Sequence, residues 1–382
     1  MIARRLSKAA FVLFLAIQGA SPRAQPAAER SPERAAGHLP PVVTVRPPVN
    51  PPLVPGWNAY PGEFALRTLK GFYVTAISGG GRTSDPVIVT AATKAGPWEK
   101  FRIAVFEPPP SHDKSIQAAG GGYVTAVSGG GRITDVMHTD ATQVDLWEQF
   151  RFFDLSEGGV APTYFAIQTI KGNYLTAVGE GGKYEDAIHT DASTISRWEY
   201  FRLVKCGDLS TGYQYTILPA NDQALTAVNG GGLDKGDTIV MGYWPGDTPD
   251  RGWSRFTFMR QNDGSYALQT PNGRNFVTAL GGGGEVQEYF PPDCGPIFGA
   301  CIGGFSTIFH TDATRVLGWE KFKFIDQGDC KYAIQTVSGF FVGIYKHPSG
   351  YILLTTRRTA VSSENEKFQL VMYGLASPVV LH

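Results

Sequence analysis

Tyr164-Phe165-Ala166-Ile167-Gln168-Thr169, Lys171-Gly172-Asn173, Tyr174-Leu175-Thr176-Ala177-Val178, Gly179 to Gly182, Ala187-Ile188-His189-Thr190 and Trp198-Glu199-Tyr200-Phe201 follow one another along the middle of the chain. Each apolar piece is short, rich in β-branched and aromatic residues, alternating, and closed by glycine or a turn former, which predicts four strands rather than any helix. Lys171-Gly172-Asn173 predicts a tight hairpin, because glycine takes the positive φ of such turns without steric cost.

The same phrase recurs outward in both directions. Its threonines fall at Thr75, Thr125, Thr176, Thr226 and Thr278, in steps of 50, 51, 50 and 52 residues, and Gly343 marks a weaker sixth copy. The closing phrase repeats as Trp98-Glu99-Lys100-Phe101, Trp147-Glu148-Gln149-Phe150 and Trp319-Glu320-Lys321-Phe322, with degraded forms at Trp253-Ser254-Arg255-Phe256 and Glu366-Lys367-Phe368. A motif copied round an array builds scaffold, since each unit needs it to bury its own face. Burial of one tryptophan is worth about 4 to 6 kcal/mol gross, so the tryptophans are expected to anchor the units. The adjoining glutamates recur with them, which predicts structural hydrogen bonds to amides or threonines rather than catalysis.

Six four-stranded units fit either one six-bladed propeller or two barrels of three copies. The pattern Gly172-Asn173-Tyr174-Leu175-Thr176-Ala177, His189-Thr190-Asp191-Ala192 and Trp198-Glu199-Tyr200-Phe201 resembles the fascin-like repeat of the actin-crosslinking family, over about residues 62 to 375. That resemblance implies an all-β chain of two tandem β-trefoils, each of three four-stranded repeats. It implies trefoils over 57–206 and 207–382, and a non-enzymatic protein that binds or crosslinks a polymeric ligand, with the two trefoils offering two faces.

Residues 1–24 read as an export leader: Arg4, Arg5 and Lys8, an apolar run from Ala9 to Ile17, then small residues. That run is too short to span a bilayer, so no transmembrane segment is expected. Residues 25–56, rich in proline, predict an extended linker. The protein is therefore expected to be secreted, periplasmic or on the cell surface. The 34 basic and 34 acidic residues cancel, and loss of the leader with its four cations leaves 30 minus 34, or −4, so no field draws nucleic acid to the chain. Four cysteines in an exported chain predict disulfides. Cys294 and Cys301 flank a local turn, while Cys206 and Cys330 both sit at junctions between repeats, which favours pairing Cys206 with Cys330.

The glycine triplets lack the lysine and hydroxyl of a phosphate-binding loop and precede strands, so hairpin duty is expected of them. No catalytic motif, cofactor fingerprint or metal-ligand spacing appears, and no enzyme, cofactor or metal is expected. His138 with Asp140, His189 with Asp191 and His310 with Asp312 stand two apart on a strand face, where they are secondary candidates for a polyhydroxylated ligand. The repeat is broken in two places. A 20-residue insertion in the fifth copy carries Tyr289 and Phe290, and in the fourth copy Tyr243, Trp244, Asp247 and Asp250 replace the histidine phrase. Aromatic loops on a rigid β frame suit ligand binding, so these six are the leading site candidates. The two partner classes are a filament protein and, as the lectin-like alternative, an extracellular or cell-wall polysaccharide.

Overall fold

The computed structural model describes residues 57–106, 113–155, 163–235, 238–242, 252–294, 301–305, 307–348 and 352–373, with the backbone alone for 57–58, 106, 289–294 and 301–305. The leader and most of the linker lie outside the described residues. Among the described residues regular structure is confined to antiparallel strands and single 3-10 turns.

Strand pairing closes two barrels. In the first, Glu63–Thr68 pairs with Lys100–Phe106, which pairs with Asp113–Ala118, and so on through Phe150–Asp154, Phe165–Thr169 and Phe201–Cys206. Phe201–Cys206 then returns to Glu63–Thr68, with Phe201 opposite Thr68 and Cys206 opposite Glu63. The second barrel runs through Gln214–Leu218, Phe256–Arg260, Tyr266–Gln269, Lys321–Asp326, Tyr332–Thr336 and Gln369–Met372 and closes by Thr216 opposite Val371. Hairpins such as Tyr73–Ala76 with Ile88–Ala92 extend from the barrels. The architecture is two β-trefoils, and a six-bladed propeller is excluded.

The repeats fill the barrels in threefold layers. Leu66, Ile116 and Ile167 form one layer, Val74, Val124 and Leu175 a second, and Phe101, Phe150 and Phe201 a third; all are at most 3% exposed. The matching residues of the second barrel are Ile217, Leu268 and Ile334; Leu225, Val277 and Val342; and Phe256, Phe322 and Phe368. Burial of this order is what lets short strands of low intrinsic stability hold together.

Hydrogen bonds between copies also close in threes. Gly81 N donates to Thr139 O at 2.8 Å, Gly131 N to Thr190 O at 2.7 Å and Gly182 N to Thr90 O at 2.8 Å, a ring from first copy to second to third and back. The residue before each of these glycines explains the triplet. At Gly80, Gly130 and Gly181 φ is 108°, 102° and 98°. A Cβ on Gly130 would lie 2.3 Å from Thr169 Oγ1 of the next copy. Glycine is needed there both for backbone conformation and for room.

Four of the five closing-phrase tryptophans are not buried anchors; Trp253, in the copy where Ser254 replaces the glutamate, is buried at 9% exposure. Trp98, Trp147, Trp198 and Trp319 remain 38%, 48%, 44% and 50% exposed, whereas Glu99, Glu148, Glu199 and Glu320 are 8%, 5%, 3% and 5% exposed. Each Trp-Glu pair lies in a one-turn 3-10 segment or tight turn entering the last strand, where neighbouring side chains diverge and the glutamate points inward. The hydroxyls of Thr75, Thr125, Thr176 and Thr278 donate to the Oε1 of these glutamates at 2.6 to 2.8 Å. The other oxygen of Glu148, Glu199 and Glu320 accepts the amides of Asp145, Ser196 and Leu317.

The degraded copies obey the same accounting. The sixth has Gly343 in place of the threonine, and its buried Glu366 instead lies 3.4 Å from Arg358 Nε. Burial pushes the Glu366 carboxyl up, but the Ser363 and Ser362 donors and Arg358 outweigh it and hold it below the usual range. The fourth has Ser254 in place of the glutamate, and Thr226 donates instead to Gly242 O at 2.8 Å.

The trefoils are joined by more than one peptide link. Cys206 at the end of the first barrel is disulfide-bonded to Cys330 before the sixth copy. Val204 pairs with Val371, Arg202 Nη1 and Arg67 Nη1 both donate to Asp222 Oδ1 at 2.8 and 2.9 Å, and Gln369 Nε2 donates to Tyr73 OH. Cys294 and Cys301 stand opposite each other across the hairpin of Tyr289–Cys294 and Cys301–Phe305; their side chains are outside the described set.

Candidate functional site

The three equivalent hairpins of the first trefoil, two of which carry a histidine, converge on its pseudo-threefold axis. Segments 85–88, 133–137 and 184–188, one from each copy, line a cavity of about 300 Å³. Its floor is apolar and buried, with Val87, Val136 and Ala187 above Met137 and Ile188. Asp85, Asp135, Glu185 and Asp186 stand on the rim, beside Ile133 and Tyr184, which are 56% and 57% exposed.

Two rim carboxylates are held in the same way. Asp135 Oδ1 lies 2.9 Å from His138 Nε2, and its Oδ2 accepts from Arg132 Nη2 at 3.3 Å. Asp186 Oδ1 lies 2.5 Å from His189 Nε2, and Lys183 Nζ is 3.7 Å from Oδ2. The hydrogen bond from His189, then the nearby charges, keep the Asp186 carboxyl below the usual carboxylate range despite some desolvation. Asp135 and Asp186 have φ of 47° and 48°, so each turn adopts a left-handed conformation that aspartate tolerates. The result is a fixed pair of acceptors above an apolar floor, flanked by an exposed tyrosine ring.

The histidines named from sequence reach this site through the aspartate three residues before them, not the one two residues after. His138 and His189 support the rim. Asp140 and Asp191 are exposed on the same strands, with Asp191 Oδ1 4.0 Å from His189 Nδ1. His310, 3.8 Å from Asp312, belongs to the second trefoil and does not line this cavity. Tyr243, Trp244, Asp247 and Asp250 lie outside the described residues, as do the side chains of Tyr289 and Phe290. Sequence reading missed Asp85, Asp135, Tyr184 and Asp186. The signal was the spacing Arg132-x-x-Asp135-x-x-His138, repeated as Lys183-x-x-Asp186-x-x-His189.

Among the described residues no group of three or more His, Cys, Asp or Glu is placed to hold a metal ion, and no helix is long and apolar enough to cross a membrane. Each Trp-Glu carboxylate accepts from a threonine hydroxyl, and those of Glu148, Glu199 and Glu320 accept from a backbone amide as well.

No protein-family model and no curated protein matches the chain. Among solved structures it is similar to a mosquitocidal holotoxin, at 8% identity and TM-score 0.32, over 82% of this chain and 34% of that one, so it spans about a third of that protein's length. It is similar to the BEL β-trefoil at 9% identity and TM-score 0.29, over 44% of this chain and 97% of that one. It is similar also to the agglutinin from Abrus precatorius, at 12% identity and TM-score 0.28, over 82% of this chain and 98% of that one.

Proposed function

We propose that this chain is an exported, non-enzymatic binding protein that recognises carbohydrate through the axial cavity of its first trefoil. The observation that carries the reading is the juxtaposition, over one apolar floor, of two fixed carboxylates with an exposed tyrosine ring. Carboxylate oxygens accept hydrogen bonds from sugar hydroxyls, and an exposed ring covers the apolar face of a pyranose. A cavity of about 300 Å³ takes one or two sugar units.

A glycan array of the purified chain tests this. Tyr184→Ala and Asp186→Asn are each expected to lower binding of the preferred glycan at least about tenfold. An unchanged profile in both variants, or no glycan bound by the parent, overturns the reading.

The fascin-like resemblance supports a second reading, crosslinking of a filament. Its structural support is the disulfide and paired strands that join the two trefoils, as a crosslinker with two faces requires. Co-sedimentation with filamentous actin separates the two: pelleting with actin and no array signal would favour the crosslinker.

A further inference from the structure

A larger cavity, about 670 Å³, opens on the flank of the first trefoil, between the turn 59–63, the strand carrying Arg102, the second copy's Gln117 and Tyr123, and the link Cys206 to Asp208. It is chemically unlike the axial one. Arginine follows the closing phenylalanine in all three copies of this trefoil, at Arg102, Arg151 and Arg202. Arg151 Nε donates to Asp113 at 3.2 Å, and Arg202 donates to Asp222 and Thr163 while stacking 4.3 Å from the Tyr164 ring centroid. Arg102, partly buried and lining this cavity, makes no hydrogen bond or ion pair among the described residues.

Tyr123 presents the same vacancy. Its ring is 3% exposed, it lines the cavity, and its hydroxyl has no described partner. Gln117 spends its amide on Gly121 O at 2.8 Å and keeps its carbonyl oxygen free. Against the wall formed by Gly62 and Cys206 sits the buried ammonium of Lys205, whose described hydrogen bond is to Cys206 O at 2.7 Å. Of the acids, Glu63 lies 3.6 Å from Lys100, and Asp208 is exposed. Of the side chains that line the cavity Arg102 is the cation and Glu63 and Asp208 are the acids; Lys100 neutralises Glu63 from the side, and Lys205 lies buried behind the wall.

We infer that this cavity is a second binding site, for a carboxylate carried on a ligand of monosaccharide size, an acidic sugar unit. Arg102 offers the planar fork that grips a carboxylate by two parallel N–H bonds, Tyr123 donates one more, and Gln117 accepts from a neighbouring hydroxyl. The guanidinium of Arg102, without a partner of its own among the described residues, favours a carboxylate over a neutral hexose. The identification of the ligand as a sugar rests on the carbohydrate reading above; the carboxylate requirement does not.

Titration calorimetry of the full chain with D-glucuronate, D-glucose and acetate tests it. Glucuronate is expected to bind saturably and at least about tenfold more tightly than either of the others. Arg102→Gln should weaken it at least about tenfold and Tyr123→Phe severalfold, Arg102→Lys should restore part of the loss, and Arg151→Gln should change nothing. Near-UV circular dichroism checks that the variants fold. No saturable glucuronate binding, equal binding of glucose, or an unchanged Arg102→Gln variant overturns the proposal. Acetate binding as tight as glucuronate overturns the sugar assignment. The double variant Tyr184→Ala, Asp186→Asn keeps the failures apart, since it should lose array glycans while retaining glucuronate.

Discussion

In the first trefoil the three hairpin turns meet round an open cavity rimmed by carboxylates, of which Asp135 and Asp186 are backed by Arg132 and Lys183; in the second, the same repeat position carries Leu233 in the fourth copy and Glu285 in the fifth. Leu233 and Glu285 keep the backbone duty of their counterparts. Leu233 N donates to Thr311 Oγ1 and Glu285 N to Thr356 Oγ1, both at 3.0 Å, as Arg132 N does to Thr190 Oγ1 at 3.2 Å. The fifth copy then departs into the Tyr289–Cys294 and Cys301–Phe305 hairpin. Barrel layers answer to a shared packing requirement, so they match copy for copy, while the caps carry no such constraint and diverge. Differences of function between the trefoils are therefore to be sought at the caps and flanks.

The largest expected difference between the barrels is their response to pH. Both buried lysines among the described residues, Lys114 and Lys205, lie in the first, at 3% and 0% exposure. Lys114 occupies the position of Phe64, Phe165, Tyr215, Tyr266 and Tyr332 in the other copies. Burial pushes both lysines down to about 8, with nearby acids opposing. A depressed lysine sheds its proton in the folded state before the unfolded state does, so stability rises with pH between about 8 and 10.5. Each lysine contributes about 2 kcal/mol by pH 9.5. Burial also pushes Tyr73 up to about 12 and Tyr215 and Tyr332 higher still. Because these phenols stay protonated only in the folded state, stability falls again above about pH 10. Urea unfolding from pH 7 to 10 should show the rise, and Lys114→Phe with Lys205→Met should flatten it. A flat profile in the parent would mean that both ammonium groups are better solvated than their burial indicates.

Next in size is the buried glutamate. Glu148→Ala strips a partner from the Thr125 hydroxyl and the Asp145 amide and opens a small void, at a cost of about 3 kcal/mol. Ser254→Ala at the same place in the fourth copy, where Thr226 already donates to Gly242 O, should cost below about 1 kcal/mol. Equal losses in denaturant titrations would break the claim that the glutamate, rather than the turn itself, holds the copy together.

Strand content, the period of the repeat and the Cys206–Cys330 disulfide were legible in the sequence, because each rests on local alternation, glycine placement or position at a junction. The choice between one ring of six and two of three was not. It depends on Phe201–Cys206 returning to Glu63–Thr68, a pairing between distant residues that only the resemblance to a trefoil repeat indicated. The site was half legible. His138 and His189 were singled out, yet their partner was sought at Asp140 and Asp191 on the strand, while the turn places Asp135 and Asp186 against the rings. Asp85, Asp135 and Asp186 come together only on the threefold axis, from copies about 50 residues apart in sequence.

The tryptophans provide the smallest expected effect and the sharpest reversal of sequence reasoning. Hydrophobicity ranks indole far above carboxylate for burial, but a 3-10 turn sends neighbouring side chains apart and leaves orphan amides at its start. The inward position goes to the residue that satisfies those amides, which is glutamate. Trp147, 48% exposed, covers Gly129 and meets the next copy near Ile170. Trp147→Ala is therefore expected to cost only about 1 kcal/mol, against about 3 to 5 kcal/mol for Phe150→Ala three residues on, where a 1% exposed ring leaves a cavity. Thermal melts of the two variants side by side decide the matter. A tryptophan loss as large as the phenylalanine loss would return the indole to the role of anchor and make the Thr-Glu pair its accessory.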